Sequence, residues 1–277
     1  MRRSRSAPFM QDPRRPAIDH PPAATQIWVM GNLSSTTPDS RLSVDEVRER
    51  VFAHLERHIG AAVTAYSDTE GWKGEGDEPG PAVDVLIAPP EGERRFAYVS
   101  SFGSCIRPLP APAYRQEGVN KRVEFVLAAM QTGDETERLD SLNQAGDLVR
   151  KFAKLTHTQP VTVEPGETVA FGDAPAPLFP GSDLVAFAFM EPRLPSNGFG
   201  RMPLAHNEHV VFVSPVPITA EELDLARREG TDALNAALMS SGVTEMLDPG
   251  RTATVEAPPP PKKGFFARLA DLFGKRR

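Results

Sequence analysis

The chain has 277 residues, enough for one large domain or two small ones, and its 28 prolines, about twice the usual share, mark loops and boundaries. Its net charge of −6 hides a partition: residues 1–15 carry five arginines against Asp12, residues 262–277 carry six basic residues against Asp271, and residues 16–261 are left with −15. An acidic body favours basic partners and argues against nucleic-acid binding by the folded part.

The single cysteine, Cys105, excludes an intramolecular disulfide framework and a multi-cysteine zinc site, and reducing cytoplasm is the default compartment. No apolar run approaches the ~20 residues of a membrane-spanning helix, and no apolar stretch follows the N-terminal arginines as a signal peptide requires. Residues 1–39 read as a disordered basic segment, within which Met10 or Met30 are alternative starts of translation.

In chain order, the first helix is predicted over 44–59. Ser43 and Glu46 form a capping box, Val44, Val47, Val51, Leu55 and Ile59 recur at helical spacing, and Gly60 stops the run. Residues 67–81 form a polar, acidic loop around Trp72. Two strands follow, Val83 to Ala88 and Phe96 to Phe102, linked as a hairpin by Glu91–Arg94. A third strand has Val123, Phe125, Leu127 and Ala129 on its apolar face. A second helix spans roughly 136–155, with Leu142, Leu148, Val149, Phe152 and Leu155 on one side.

Strands are expected near 168–171, 183–190 and 209–216. The run DLVAFAFM is apolar on both faces and reads as a central strand. After a Pro-Ile-Thr turn, a last helix begins at a second capping box, Thr219 with Glu222, and continues through Leu223, Ala226, Leu234 and Leu238 to Gly242. This order predicts one α+β domain over residues 40–255, a mixed, largely antiparallel sheet packed with helices.

Few residues suggest catalysis. His54 and His58 lie four apart, as zinc ligands on a helix do, but Glu56 is about 200° round the helix from the first histidine and no third ligand follows; surface histidines are the plainer reading. His206-Asn207-Glu208-His209 contains the H-x-E pattern of zinc deaminases without the cysteine pair they need. Cys105 ends a predicted strand, where nucleophiles sit, yet no histidine can be placed beside it, which favours a buried structural cysteine. The glycines at 71, 74, 76 and 80 alternate with Glu75, Asp77 and Glu78, which repel phosphate. No cofactor is implied.

Three stretches carry a family resemblance: VDVLIAPP with FAYVSSFGSC, RVEFVLAAM, and the block from Val210 to Gly230 ending in ARREG. Together, over roughly 40–250, they resemble the suppressor-of-fused domain family. The resemblance implies a suppressor-of-fused-like α/β sandwich that binds proteins and transforms no small molecule. Eukaryotic members carry a further C-terminal region and clamp an extended transcription-factor peptide as an added strand. This chain has no room for that region, which implies a single-domain bacterial-type member. Such members resemble immunity proteins that neutralise secreted toxins, and an acidic body suits a basic toxin domain.

Beyond a proline linker at 256–261 lies KKGFFARLADLFGKRR. On a helix, Phe265, Leu269, Leu272 and Phe273 fall on one side with Phe266 flanking, while Lys262, Lys263, Arg268, Lys275, Arg276 and Arg277 line the edges and ends. This basic amphipathic helix, 262–277, suits an anionic membrane surface, a partner's groove, or the acidic body of its own chain. The sequence thus predicts a non-enzymatic, cytoplasmic protein-binding domain, toxin-neutralising or adaptor in role, peripheral on the inner face of the membrane through its tail. The alternative is a hydrolase or transferase using Cys105 or a histidine pair.

Overall fold

The computed structural model describes residues 42–67, 82–109, 121–159, 163–172, 176–204 and 208–255. The N-terminal segment 1–39, most of the acidic glycine-rich loop, His206, the proline linker and the basic tail lie outside the described residues.

Three helices start at capping boxes, each supplying side-chain acceptors to amides that the helix leaves orphaned. Ser43 and Glu46 open α1 (Val44–Ile59), Asp134 and Glu137 open α2 (Glu135–Thr158), and Thr219 and Glu222 open α3 (Ala220–Glu229). A fourth helix, α4 (Thr231–Ser240), follows directly. The single last helix expected from sequence is therefore two. Gly230 breaks it with φ of +91°, a left-handed conformation that favours glycine.

The strands are β1 (Val63–Tyr66), β2 (Asp84–Ala88), β3 (Phe96–Phe102), β4 (Lys121–Met130), β5 (Thr168–Ala170), β6 (Leu184–Met190), β7 (Arg201–Pro203) and β8 (His209–Thr219). They form one mixed, mostly antiparallel sheet in the order β1-β2-β3-β4-β8-β6-β5, with β7 paired to β8. The β2–β3 hairpin is present, with Asp84 opposite Phe102 and Ala88 opposite Tyr98. Two short strands, β1 and β7, were not expected. The Pro-Ile-Thr turn is not a turn either: Pro217 and Ile218 lie within β8, which runs straight into α3.

Among the named strands of the described residues one pairing is parallel, Lys121–Phe125 against His209–Val213, and it joins the β1–β4 half to the β5–β8 half. Beyond Phe125 and Val213 the two strands part. The next place beside β4 goes to a stretch near Met246, through Ala128 N–H to the Glu245 carbonyl at 2.9 Å and Leu247 N–H to the Ala128 carbonyl at 2.8 Å. Pro215 and Pro217 sit where β8 has left β4, so their missing N–H groups remove no bond to that strand.

Both sheet faces are covered. Val85, Val99, Phe125, Leu127, Phe187 and Phe189 pack under α2 through Ala145, Val149 and Phe152. Leu86, Tyr98, Val126, Ala128 and Phe212 pack under α1 on the opposite face, and Ala186, Ala188, Val216 and Ile218 pack under α3 and α4. Strand residues therefore alternate between two buried layers, as the two-sided apolarity of β6 foretold.

Phe152 centres the α2 layer, with ring centroids 4.9 Å from Phe187, 5.5 Å from Phe189, 5.7 Å from Phe125 and 6.1 Å from Phe171. The substitution Phe152→Ala is expected to cost about 3–5 kcal/mol of unfolding free energy in urea titrations, from lost burial plus a cavity closed on four sides by other rings. A loss below about 1 kcal/mol would contradict this packing.

Candidate functional site

The most polar part of the interior lies where β3 ends. Ser104–Ile106 form a 3-10 turn after Gly103, whose φ is +127°. A Cβ at Gly103 would meet the Ala82 carbonyl oxygen at 2.0 Å, so only glycine lets this turn lie against the segment leading into β2.

Two fully buried charged residues of β4, two positions apart and so on one face of the strand, hold the turn. The Glu124 carboxylate accepts from Ser101 Oγ (2.5 Å), Gly103 N–H (2.8 Å) and Cys105 N–H (2.9 Å). Arg122 donates to the carbonyls of Cys105 (2.9 Å) and Ile106 (2.7 Å), and pairs with Glu208 at 3.2 Å. Together the two side chains satisfy the donors and acceptors that a buried turn would otherwise strand. Burial raises the Glu124 pKa against the opposing pull of its donors.

The same cluster decides the chemistry of Cys105. Its side chain is fully buried, and burial together with the neighbouring Glu124 pushes the thiol far above its ordinary value. A nucleophilic thiolate needs the reverse. His157 of α2 lies beside the turn but bonds Ser104, with Nε2 at 2.9 Å from its carbonyl oxygen and 3.2 Å from Oγ. Cys105 is therefore the structural cysteine expected from sequence.

The histidine pair on α1 is also occupied, and here the expectation of surface histidines needs correction. His54 is buried between the rings of Phe199 and Phe212, at centroid distances of 5.5 and 5.1 Å, with Nε2 bonded to the Phe199 carbonyl at 2.8 Å. Half-buried His58 bonds Ser196 Oγ through Nδ1 at 2.6 Å, and Arg50 donates to the Leu204 carbonyl at 2.8 Å. Residues 50, 54 and 58 thus form one stripe that pins the loop carrying β7 onto α1. Among the described residues, no three His, Cys, Asp or Glu side chains are grouped as a metal site would need.

Two more buried carboxylates staple distant segments. Glu222 is fully buried and accepts two bonds of 2.7 Å from Arg251, and bonds from Thr254 N–H (2.9 Å) and Thr254 Oγ1 (2.8 Å). Burial pushes its pKa up, but Arg251 and the surrounding donors outweigh this and hold it below the usual value. Arg251 also takes the Pro217 carbonyl at 2.6 Å, on the stretch of β8 that has left β4. Glu245 accepts from the N–H groups of Arg193 (3.0 Å) and Leu194 (2.8 Å), and burial raises its pKa.

These interior groups tie the scaffold together. Among the described residues β1 is a terminal strand of the sheet with all four residues exposed, Val63 at 60% and Tyr66 at 45%. The eleven tail residues singled out from sequence, from Lys262 to Arg277, lie outside the described residues. Arg122, Glu124 and the Glu222–Arg251 contact were not singled out as site residues, although a basic residue and a glutamate inside an apolar strand were visible in RVEFVLAAM.

Burial lowers the His54 pKa from 6.5, and His58 and His157 shift the same way. The unfolded chain therefore takes up these protons first. The stability they allow is complete above the ordinary value and is lost as pH falls through the lowered ones. Glu124 and Glu245, raised from 4.5, act in the opposite sense and add stability as pH falls through their own range. Between about pH 7 and pH 5.5 the histidines' contribution to unfolding free energy is expected to decline, and His54→Gln is expected to shift the measured slope toward greater stability at the acid end. An unchanged slope in the variant would contradict the buried position of His54.

No curated protein matches the chain. Among solved structures, a suppressor-of-fused homologue from Neisseria gonorrhoeae aligns at 16% identity and a TM-score of 0.49, covering 75% of this chain and 96% of its own. The protein of a Sufu–Fu complex aligns at 16% identity and a TM-score of 0.47, covering 74% and 91%. Drosophila Suppressor of Fused aligns at 17% identity and a TM-score of 0.39, covering 70% of this chain but 46% of the fly protein. The family model of suppressor of fused protein (SUFU) matches residues 80–252, well over half of the sequence, and the chain belongs to the suppressor-of-fused family.

Proposed function

We propose that this chain is a non-enzymatic protein-binding domain whose acidic body receives a basic partner, either a toxin domain that it neutralises or a protein that it joins to others as an adaptor. The observation that carries this reading is family membership over residues 80–252 joined to a body charge of −15. A relative solved as the Sufu–Fu complex is itself a partner-binding protein. Complementary charge raises the rate of encounter and disfavours wrong partners.

The exposed strand β1 supports a mode of contact. An edge strand offers unpaired N–H and C=O groups to an extended segment, and the side chains of Val63 and Tyr66 add apolar area to such an addition. Arg150 of α2 lies over the Tyr66 ring at 4.6 Å, which holds the ring in place at the sheet edge.

The tail adds a means of localisation. Six basic residues, each worth about 1 kcal/mol near an anionic leaflet, join five apolar ones, so residues 262–277 would hold the domain reversibly at the inner membrane face. Among the described residues no helix is long and apolar enough to cross a membrane.

The test is to isolate partners with the intact protein from its own cells, and then to titrate the purified partner against wild type and Tyr66→Glu. The expected partner is basic, with affinity falling at least about tenfold between low and high salt and falling further in the variant. A neutral or acidic partner with salt-independent affinity would overturn the charge reading, and turnover of a substrate dependent on Cys105 would favour the hydrolase or transferase instead.

A further inference from the structure

The first two turns of α2 are open to solvent. Residues 132–140 are all exposed, whereas the stripe of α2 that packs on the sheet begins at half-buried Leu142 and continues through Ala145, Val149 and Phe152. Leu139, three residues before Leu142, extends that stripe one turn further and is 51% exposed. Around it stand Asp134, Glu135, Glu137 and Asp140, against Arg138 alone. Among the described residues, this apolar and acidic helix face has no element laid over it.

Topology determines which part of the chain can reach it. Because β4 runs parallel to β8, the start of α2, just after Met130, lies at the same end of the sheet as Thr219, where β8 ends. At that end Glu222 holds Arg251 and Thr254, so the last described residues leave from there as well. Residues 256–261 contain four consecutive prolines. At about 3.1 Å per residue they span roughly 19 Å, comparable with the two layer spacings of ~10 Å each that separate α3 from α2, which pack on opposite faces of the sheet. They deliver a segment with Phe265, Leu269, Leu272 and Phe273 on one side and six basic residues at its margins.

We propose that residues 262–277 dock as a helix on the first two turns of α2, with their apolar side against Leu139 and their basic side chains facing Glu135 and Asp140. A segment this short is marginally helical alone in water, and the docking surface supplies the missing stabilisation. Docked, the tail is withheld from membranes and partners until a more strongly anionic surface competes for it. This inference rests on the amphipathic reading of the tail and is independent of the identity of any partner.

Hydrogen exchange of the backbone amides of residues 139–143, measured on the full-length chain, tests it. Exchange is expected to be about tenfold slower in wild type than in a full-length Phe265→Asp, Leu269→Asp variant. The slowing should vanish in Glu135→Lys, Asp140→Lys, and return when Lys262, Lys263, Lys275 and Arg276 of that variant are changed to Glu. Vesicles containing about 30% phosphatidylserine should abolish the slowing in wild type as the tail transfers to them. Equal exchange in wild type and the tail variant would overturn the proposal, and so would slowing that grows with protein concentration, which would assign the tail to a second copy. Slowing that survives the vesicles upholds the docking and removes the membrane role instead.

Discussion

A five-residue parallel pairing holds the two halves of this molecule together. Lys121–Phe125 of β4 lie beside His209–Val213 of β8, and the strands then part. The other pairings between named strands are antiparallel and lie within one half or the other. Parallel neighbours need a long crossover, here the whole stretch from α2 to β7. The pairing therefore fixes which termini share an end of the sheet: the start of α2, the end of β8 and the departing C-terminal segment.

Where the strands part, buried carboxylates take over. Glu245 bonds the chain leaving β6 while its own backbone pairs with β4, and Glu222 binds Arg251, which in turn takes the carbonyl of Pro217. Glu124 and Arg122 do the same for the turn after β3. A buried ion pair is a weak source of net stability, because desolvation offsets attraction, but losing one partner leaves the other charge stranded. These residues specify which segments meet, and they leave Cys105 in surroundings that oppose its ionisation.

Much of the architecture was legible in the sequence because local signals agreed with the fold. Ser43 with Glu46 and Thr219 with Glu222 marked helix starts to the residue, alternating apolar residues located β2, β3 and β4, and a run apolar on both faces located β6. What was missed has specific causes. Strands β1 and β7 have four and three residues, too short for a periodic signal, and all of β1 is exposed. Gly230 breaks a helix whose apolar spacing runs on through Leu234 and Leu238. Pro217 looked like a turn because a single sequence cannot show that β8 has no β4 beside it there.

The interior site was partly legible as well. His54, read from sequence as a surface histidine, lies three residues after Val51 on the face that also holds Val47 and Leu55, a spacing that could have marked it as buried. Arg122 and Glu124 stood out as charges in an apolar strand, but their target, the Gly103–Ile106 turn, is a neighbour only through the β3–β4 pairing. The bond from Glu222 to Arg251 spans 29 residues and carries no local signature.

The central claim, that a negatively charged preformed surface receives a basic protein, bears most directly on the kinetics of encounter. Stopped-flow association of the intact chain with its purified partner, across ionic strength, should show an association rate constant falling at least about tenfold from low to high salt while dissociation changes little. An association rate indifferent to salt would contradict the account.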